Sequence, residues 1–200
     1  MRAAKEVGQV AAVLAASLQC ACENTPIDAV VADDLTLDGG VEVGDGPTCT
    51  STRAAPGPGR YRVFSASSGR CLGAGDPTTV VGTPAITTRM STECGSDAEL
   101  WEFSEAAFGN GLRLTNVAEG LNLDVERGSE QAGTRVILYE MNQLQNQLFA
   151  FRPRPNGEYE IAPNHADTSC LMEGFDSVLI WPCSPSDARQ NWETFRVSCL

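Results

Sequence analysis

The sequence predicts an all-β domain built from three copies of one unit, arranged as a closed structure with pseudo-three-fold symmetry. The first observation is that, from Tyr61 onward, short β-prone runs alternate with clusters of Gly, Asn and Ser. The second is a repeated closing motif, whose aromatic residues lie 48 and then 43 residues apart: Trp101, Phe149 and Trp192. A β-propeller needs at least about four blades, so three copies favour a closed three-fold structure instead.

Composition limits the remaining possibilities. The chain has 200 residues, enough for one domain or two small ones. Its 19 glycines and 11 prolines indicate many turns and few long helices. The net charge is −12 and the sequence pI is about 4.4. We expect no nucleic-acid partner, because phosphate binding needs clustered Lys and Arg residues.

Residues 1–22 are predicted to form an export signal. Arg2 and Lys5 provide its positive end, and the apolar run that follows is too short to span a bilayer, which needs roughly 20 residues. The segment ends in a pattern that resembles a bacterial lipoprotein cleavage box, with Cys22 as the lipidation candidate. Lipidation at Cys20 would leave an unpaired thiol, and simple secretion is the alternative to both. We therefore expect an exported protein, either extracellular or a bacterial cell-envelope lipoprotein attached to the membrane by its lipid alone.

Residues 23–59 have the composition of a linker. Seven acidic residues between positions 23 and 45 are opposed by one basic residue, Arg53, and the segment ends in Ala-Pro-Gly-Pro-Gly. Such a segment repels itself and buries little apolar surface. It is predicted to be extended and disordered.

Eight cysteines indicate an oxidising compartment. The spacing does not fit a zinc finger, and His165 is the single histidine of the sequence. We expect disulfides, and neither a metal nor a cofactor. Apart from the two cysteines near the signal, an even set of six remains: Cys49, Cys71, Cys94, Cys170, Cys183 and Cys199.

The predicted domain covers residues 60–200. Each unit opens with a run that alternates apolar and polar residues, the period of a half-buried strand, beginning at Tyr61, Leu112 and Tyr159. Each unit closes with the aromatic motif. The repeats therefore cover about residues 60–104, 108–151 and 157–197.

The closing motifs Glu99-Leu100-Trp101, Gln147-Leu148-Phe149 and Gln190-Asn191-Trp192 are three Q-x-W-like signatures. Together with Asn122-Leu123-Asp124-Val125, they make the chain resemble the ricin-type β-trefoil lectin family from about residue 60 to residue 197. The resemblance implies a six-stranded barrel capped by three hairpins, with the Q-x-W aromatics in a shared core. It also implies three disulfides: Cys71–Cys94, Cys170–Cys183 and Cys49–Cys199.

Sugar binding needs a carboxylate that accepts hydrogen bonds from hydroxyls, an aromatic face for the apolar side of the ring, and amides that fix its orientation. The resemblance assigns these roles in the middle repeat to Asp124, Tyr139, Asn146 and Gln147. Strand alternation places Ile137 and Tyr139 on the outer face. Ile137 is a weaker candidate, because it departs from the family, where a polar residue is frequent at this position.

The other two repeats are less complete. The third keeps Trp181 and Gln190 as weaker candidates, but Met172 occupies the position of the carboxylate. The first has Gly73 at that position and Thr88 at the position assigned to the aromatic. The middle repeat is therefore the predicted site.

We accordingly expect a monomeric carbohydrate-binding module whose ligands are galactose- or xylose-type glycans. The alternative is a trefoil without a glycan site that binds or inhibits a protein, or serves as a structural spacer. Enzymatic activity is not expected, because the sequence lacks a Gly-x-Ser-x-Gly motif, a phosphate-binding loop and a cluster of metal ligands.

Overall fold

Backbone hydrogen bonding turns the alternating runs into thirteen strands within residues 49–107 and 110–199, which this computed structural model describes. The predicted export signal, the lipidation candidate Cys22 and most of the predicted linker lie outside the described residues. The strands are β1 (Cys49–Arg53), β2 (Gly59–Ser65), β3 (Cys71–Val80), β4 (Thr83–Ser91), β5 (Trp101–Glu105), β6 (Leu112–Asn116), β7 (Asn122–Val125), β8 (Val136–Tyr139), β9 (Phe149–Pro153), β10 (Tyr159–Pro163), β11 (Ser169–Glu173), β12 (Val178–Pro182) and β13 (Trp192–Cys199).

Six of these strands close into a barrel. The antiparallel pairings run from β2 to β5, β6, β9, β10 and β13, and β13 pairs again with β2. Each repeat contributes its first and last strand to this ring. Closure leaves the barrel strands without free edges, and with three capping hairpins it makes the fold a β-trefoil, as predicted.

The inner two strands of each repeat form the capping hairpins β3–β4, β7–β8 and β11–β12. The first hairpin is the longest, with strands of ten and nine residues against four and four in the second. Its strand β4 also pairs with β8, where Ile86 lies opposite Leu138 and Thr87 lies opposite Ile137. The hairpin of the first repeat is thereby held against that of the middle repeat.

The three Q-x-W aromatics lie in the core, as the resemblance implies. Trp101, Phe149 and Trp192 are fully buried. Both indole N–H groups are satisfied inside the barrel: Trp101 Nε1 donates to the carbonyl of Leu72 at 2.9 Å, and Trp192 Nε1 donates to that of Leu171 at 3.0 Å. These rings can therefore be buried without an unpaired polar group.

Strand β1 lies inside the segment that composition assigned to the linker. Its residues pair along β13, with Cys49 opposite Cys199, so the ordered chain begins before residue 60. The physical reason is that a disulfide and a backbone ladder hold this segment, although its side chains are exposed. The structure contains the three disulfides that the resemblance implies, and each contributes roughly 2–4 kcal/mol: Cys49–Cys199, Cys71–Cys94 and Cys170–Cys183.

Helical structure in the described residues is limited to four 3₁₀ turns of three residues each. Three of these turns end two residues before a Q-x-W aromatic, including Gln145–Gln147 in the middle repeat. Among these residues no helix has the length and apolar character needed to cross a membrane.

Candidate functional site

A pocket of about 340 Å³ opens beside the β7–β8 hairpin of the middle repeat. The tip of the first repeat's hairpin forms one of its walls through Val80 and Val81. From the middle repeat, its lining includes Asp124, Ile137, Tyr139, Asn142, Leu144 and Asn146. Two repeats thus build one pocket.

Asp124 places a buried carboxylate in this pocket. Asp124 is 2% exposed, and three side-chain amides donate hydrogen bonds to its carboxylate. Asn146 Nδ2 lies 2.9 Å from Oδ1, whereas Gln147 Nε2 and Asn142 Nδ2 lie 2.9 and 3.2 Å from Oδ2. A carboxylate offers about four acceptor positions, so one position on Oδ1 has no donor among the described residues.

Burial raises the pKa of Asp124 to about 6, because desolvation disfavours the charged form. The three amide hydrogen bonds act in the opposite direction, and the nearby charge of Glu126 adds a smaller increase. The carboxylate is therefore ionised at neutral pH but close enough to its pKa to be protonated in mild acid.

Gln147 is not part of the pocket wall, in contrast to its predicted ligand role. It is fully buried, and its Nε2 also donates to the carbonyl of Glu140 at 2.7 Å while its Oε1 accepts from the backbone N–H of Asn142 at 3.0 Å. All of its polar atoms are thus used inside the protein. It positions Asp124 and the loop after β8.

Gln190 makes the same brace in the third repeat. Its Nε2 donates to the carbonyl of Pro182 at 2.9 Å, and its Oε1 accepts from the backbone N–H of Ser184 at 2.7 Å. It is also fully buried, so its weaker ligand role is replaced by a structural one. The glutamine of the Q-x-W signature braces a loop in both repeats.

Tyr139 and Ile137 lie on the pocket side of β8, as strand alternation predicts, while Val136 and Leu138 belong to the barrel core. Tyr139 is half-buried and lines the pocket. Ile137 is buried because Val80 and Ala85 of the first hairpin pack against it. It gives the pocket an apolar floor instead of a hydrogen bond.

Backbone strain is concentrated around the pocket. Among the described residues, three non-glycine residues have positive φ: Val81 at 50°, Arg127 at 59° and Gln143 at 58°. The first two line the pocket, and Gln143 lies between Asn142 and Leu144, which also line it. Such conformations are costly and cluster at functional sites.

The sequence did not identify Asn142, Leu144 or the wall from the first hairpin. Asn142 lies between two strands in a loop, where the pattern gives no orientation for its side chain. The wall depends on the β4–β8 pairing, which joins two repeats. The greater length of the first hairpin was the feature that could have indicated this wall.

The structure corrects the assignment of Thr88 in the first repeat. The aromatic position pairs across its hairpin with the residue that begins the preceding strand: Tyr139 pairs with Asn122, and Ser91 pairs with Cys71. Ser91 is therefore the counterpart of Tyr139, three residues beyond the predicted position. The predicted position was wrong because the first hairpin is longer than the second.

An ion pair fills the corresponding space in the first repeat. Arg89 Nη2 lies 2.6 Å from Oε1 of the fully buried Glu99. Burial acts to raise the pKa of Glu99, but hydrogen bonds from Ser96 and Arg89 hold it below its ordinary value. A Cβ atom on Gly73 would lie 3.0 Å from Glu99 Cγ, so a larger residue there would displace the glutamate. This repeat has no room for a ligand carboxylate.

The third repeat also lacks the buried amide-held carboxylate of the middle one. Met172 occupies the position of Asp124. The next residue, Glu173, is buried on the other side of the strand, where Ser68 Oγ and Arg70 Nη2 both lie 2.6 Å from its Oε1. Trp181 is 43% exposed, and the third repeat has no carboxylate at the position of Asp124 to accompany it.

The described residues offer one group with the composition of a metal site, namely Glu160, Cys170 and Cys183. Both sulfur atoms are joined in a disulfide, which leaves no thiolate to bind a metal. We assign no metal to this group.

Two family models match the chain. Residues 51–139 match the ricin-type β-trefoil lectin domain-like family, and residues 110–198 match the ricin-type β-trefoil lectin domain family. No curated protein matches the sequence.

Solved structures share the fold at low sequence identity. The designed three-fold symmetric protein ThreeFoil is 22% identical, with a TM-score of 0.56 over 70% of this chain and 99% of its own. The Macrolepiota procera ricin B-like lectin in complex with lactose is 14% identical, with a TM-score of 0.57 over 72% and 99%. The exo-β-1,3-galactanase 1,3Gal43A from Clostridium thermocellum is 22% identical, with a TM-score of 0.59 over 72% of this chain but 31% of the enzyme.

Proposed function

The chain belongs to the ricin-type β-trefoil lectin family, and from this premise we propose that it binds a carbohydrate in the pocket beside β7–β8. The observation that carries the proposal is the Asp124 carboxylate, buried beside Tyr139 and held by three amides. Such a group is fixed before a ligand arrives, so little ordering is needed on binding.

Each polar group has a defined task in this proposal. The open position on Asp124 Oδ1 accepts from one sugar hydroxyl, a charge-assisted hydrogen bond. Both protein contacts of Asn146 use its Nδ2, so its amide oxygen can accept from a second hydroxyl. Displacement of Asn142, whose bond to Asp124 is the longest of the three, would open another acceptor position. Tyr139 covers the C–H face of the ring.

We propose binding without turnover. Among the described residues that line the pocket, Asp124 is the one carboxylate, whereas glycoside hydrolysis by the usual mechanisms needs a pair. A single shallow site should bind with a dissociation constant on the order of micromolar to millimolar. Higher avidity would come from clustering or from a partner with several sites.

Galactose-type glycans are the first candidates, and xylose-type glycans the second. The Macrolepiota procera lectin was solved with lactose, and the Clostridium thermocellum enzyme is a galactanase. Both share the fold with this chain, which makes β-galactosides the natural starting probes.

The family and three disulfides in the described residues fit an exported protein. We propose that residues 1–22 direct export and that Cys22 carries the lipid if the chain is anchored. We also propose that the domain is monomeric. Mass analysis of the mature N-terminus tests the lipid, since lipidated Cys22 differs in mass from a simply cleaved chain.

Retention on immobilised β-galactose and β-xylose tests the proposal, with Tyr139→Ala and Trp181→Ala as a matched pair. We expect Tyr139→Ala to weaken binding about tenfold, because it removes the aromatic face from the pocket. Trp181→Ala removes a larger and more exposed ring from the third repeat and should leave retention unchanged. Equal losses would refute the middle site, and absence of wild-type retention on any glycan would favour a protein-binding or structural role.

A second pair separates support from ligand contact. Gln147→Leu and Gln190→Leu each remove a buried brace and should lower the free energy of unfolding by about 1–3 kcal/mol. Gln147→Leu alone also frees Asp124, so we expect it to weaken glycan binding roughly fivefold, with Gln190→Leu binding like wild type. Urea denaturation and glycan titration measure the two effects. A similar loss of affinity in both variants would show that the glutamine acts only through general stability.

A further inference from the structure

The tip of the first hairpin has an unusual residue at its turn. Val80 pairs with Thr83, so Val81 and Gly82 form a two-residue hairpin loop with φ angles of 50° and 82°. Two positive φ values define a type I′ turn, whose first position strongly favours Asn, Asp or Gly. A β-branched residue is strained there. Valine therefore opposes the local backbone preference.

The fold gains little from this valine. Its side chain is 80% exposed, so it buries almost no surface against the protein. The neighbouring residue, Val80, is buried against Ile137, so it already packs the tip of the hairpin against the middle repeat. The pairing of β4 with β8 fixes the hairpin independently of Val81. Packing does not explain its presence.

The position of Val81 in the pocket wall offers an explanation. Val81 and Leu144 both line the pocket, and Leu144 is 60% exposed. Both are large apolar side chains left in water next to a polar centre formed by Asp124 and Asn146. A substituent attached to a sugar held by that centre and by Tyr139 could contact Val81 and Leu144, because all of these residues line one pocket. Apolar surface exposed in this way gains free energy when a ligand covers it.

We propose that Val81 and Leu144 form an apolar lip that selects glycosides whose group beyond the bound sugar is apolar, such as an alkyl or aryl aglycone. The inference rests on the proposed carbohydrate function and refines its ligand class. The polar centre holds the sugar, and the lip discriminates between substituents attached to it. The first repeat, whose own site is filled by Arg89 and Glu99, thus acts as a specificity element for the middle one.

Val81→Asn is the sharpest test, because asparagine suits the first position of a type I′ turn. The variant should unfold at a higher temperature than wild type while it loses preference for apolar aglycones. Phe175→Asn is the matched control, since Phe175 is 89% exposed in the loop between β11 and β12 and does not line the pocket. The probes are the methyl and phenyl β-glycosides of D-galactose and D-xylose, titrated against the full chain.

For the better-bound sugar, we expect wild type and Phe175→Asn to bind the phenyl glycoside roughly fivefold more tightly than the methyl glycoside. Val81→Asn should reduce that ratio to less than about twofold. If the ratio is near one in wild type, or persists in Val81→Asn, the lip is refuted while carbohydrate binding stands. If wild type binds none of the four glycosides, the proposed function for these sugars fails and the inference fails with it.

Discussion

Replacing Asp124 with alanine is expected to abolish retention on the glycan that retains wild type. The substitution removes the charged acceptor and also one hydrogen bond each from Asn142, Asn146 and Gln147. A hydrogen bond to a charged group contributes about 1.5–3 kcal/mol, and loss of the ordered amides adds to that effect. We therefore expect the dissociation constant to increase about 100-fold. Because the wild-type constant is expected to be micromolar to millimolar, the variant should bind too weakly to be retained.

The fold should survive this change. Asn146 Nδ2 and Gln147 Nε2 keep their hydrogen bonds to the carbonyls of Val125 and Glu140, and a desolvated charge has been removed at the same time. The free energy of unfolding should stay within about 2 kcal/mol of wild type. Asp176→Ala, which removes an exposed aspartate outside this pocket, is the control for the change in net charge. Retention by a folded Asp124→Ala protein would show that the sugar is bound elsewhere or through other groups.

Glycan affinity is expected to fall when the pH falls through about 6. Burial raises the pKa of Asp124 to that value, and the protonated form has lost the charge that the sugar hydroxyl contacts. Below the pKa, affinity should decrease about tenfold for each pH unit until the weaker binding of the protonated form is reached. Affinity titrations from pH 8 to pH 4.5 measure the profile. A flat profile would mean that the Asp124 carboxylate is not the acceptor.

Protonation of Asp124 has the opposite effect on the stability of the fold. Its pKa in the folded protein, about 6, is higher than the ordinary value of 3.8, so the folded state binds the additional proton between these pH values. Its contribution to folding is fully present below pH 3.8 and is lost as the pH rises through about 6. Acid that weakens binding should therefore not weaken the fold through Asp124. This separates loss of the ligand contact from unfolding.

The fold could be predicted because its signals are repeated. Trp101, Phe149 and Trp192 recur with similar neighbours, and every copy must supply an aromatic ring to one shared core. Three copies of a local pattern define the symmetry, and the symmetry defines the closed barrel. The disulfides followed from the resemblance, in which one bridge closes the first repeat, one closes the third, and one joins the neighbouring ends of the trefoil.

The positions of the candidate site residues were predicted in part, for a different reason. Asp124 and Tyr139 lie in short regular strands, where alternation specifies the direction of each side chain. The resemblance assigned Gln147 to the ligand, but groups within the protein use all of its polar atoms, and sequence spacing does not reveal such hydrogen bonding. The polar type of a residue was predictable, but its hydrogen-bond partners were not.

The contribution of the first repeat could not be predicted at all. Val81 is more than 40 residues from Asp124 in the sequence, and the β4–β8 pairing that brings them together joins different repeats. The longer hairpin also shifted the alignment by three residues, which hid Ser91 as the counterpart of Tyr139. Departures from symmetry are set by packing between repeats, and a pattern sought in each repeat separately misses them.

The most direct test of the central claim is a ¹³C NMR titration of the Asp124 carboxyl group, with and without saturating glycoside. In the free protein its pKa should be near 6. In the complex it should be lower by about one to two units, because a ligand that prefers the ionised form stabilises that form by linkage. A pKa that is the same in both titrations, with the glycoside bound, would contradict the assignment of Asp124 as the group that binds the sugar.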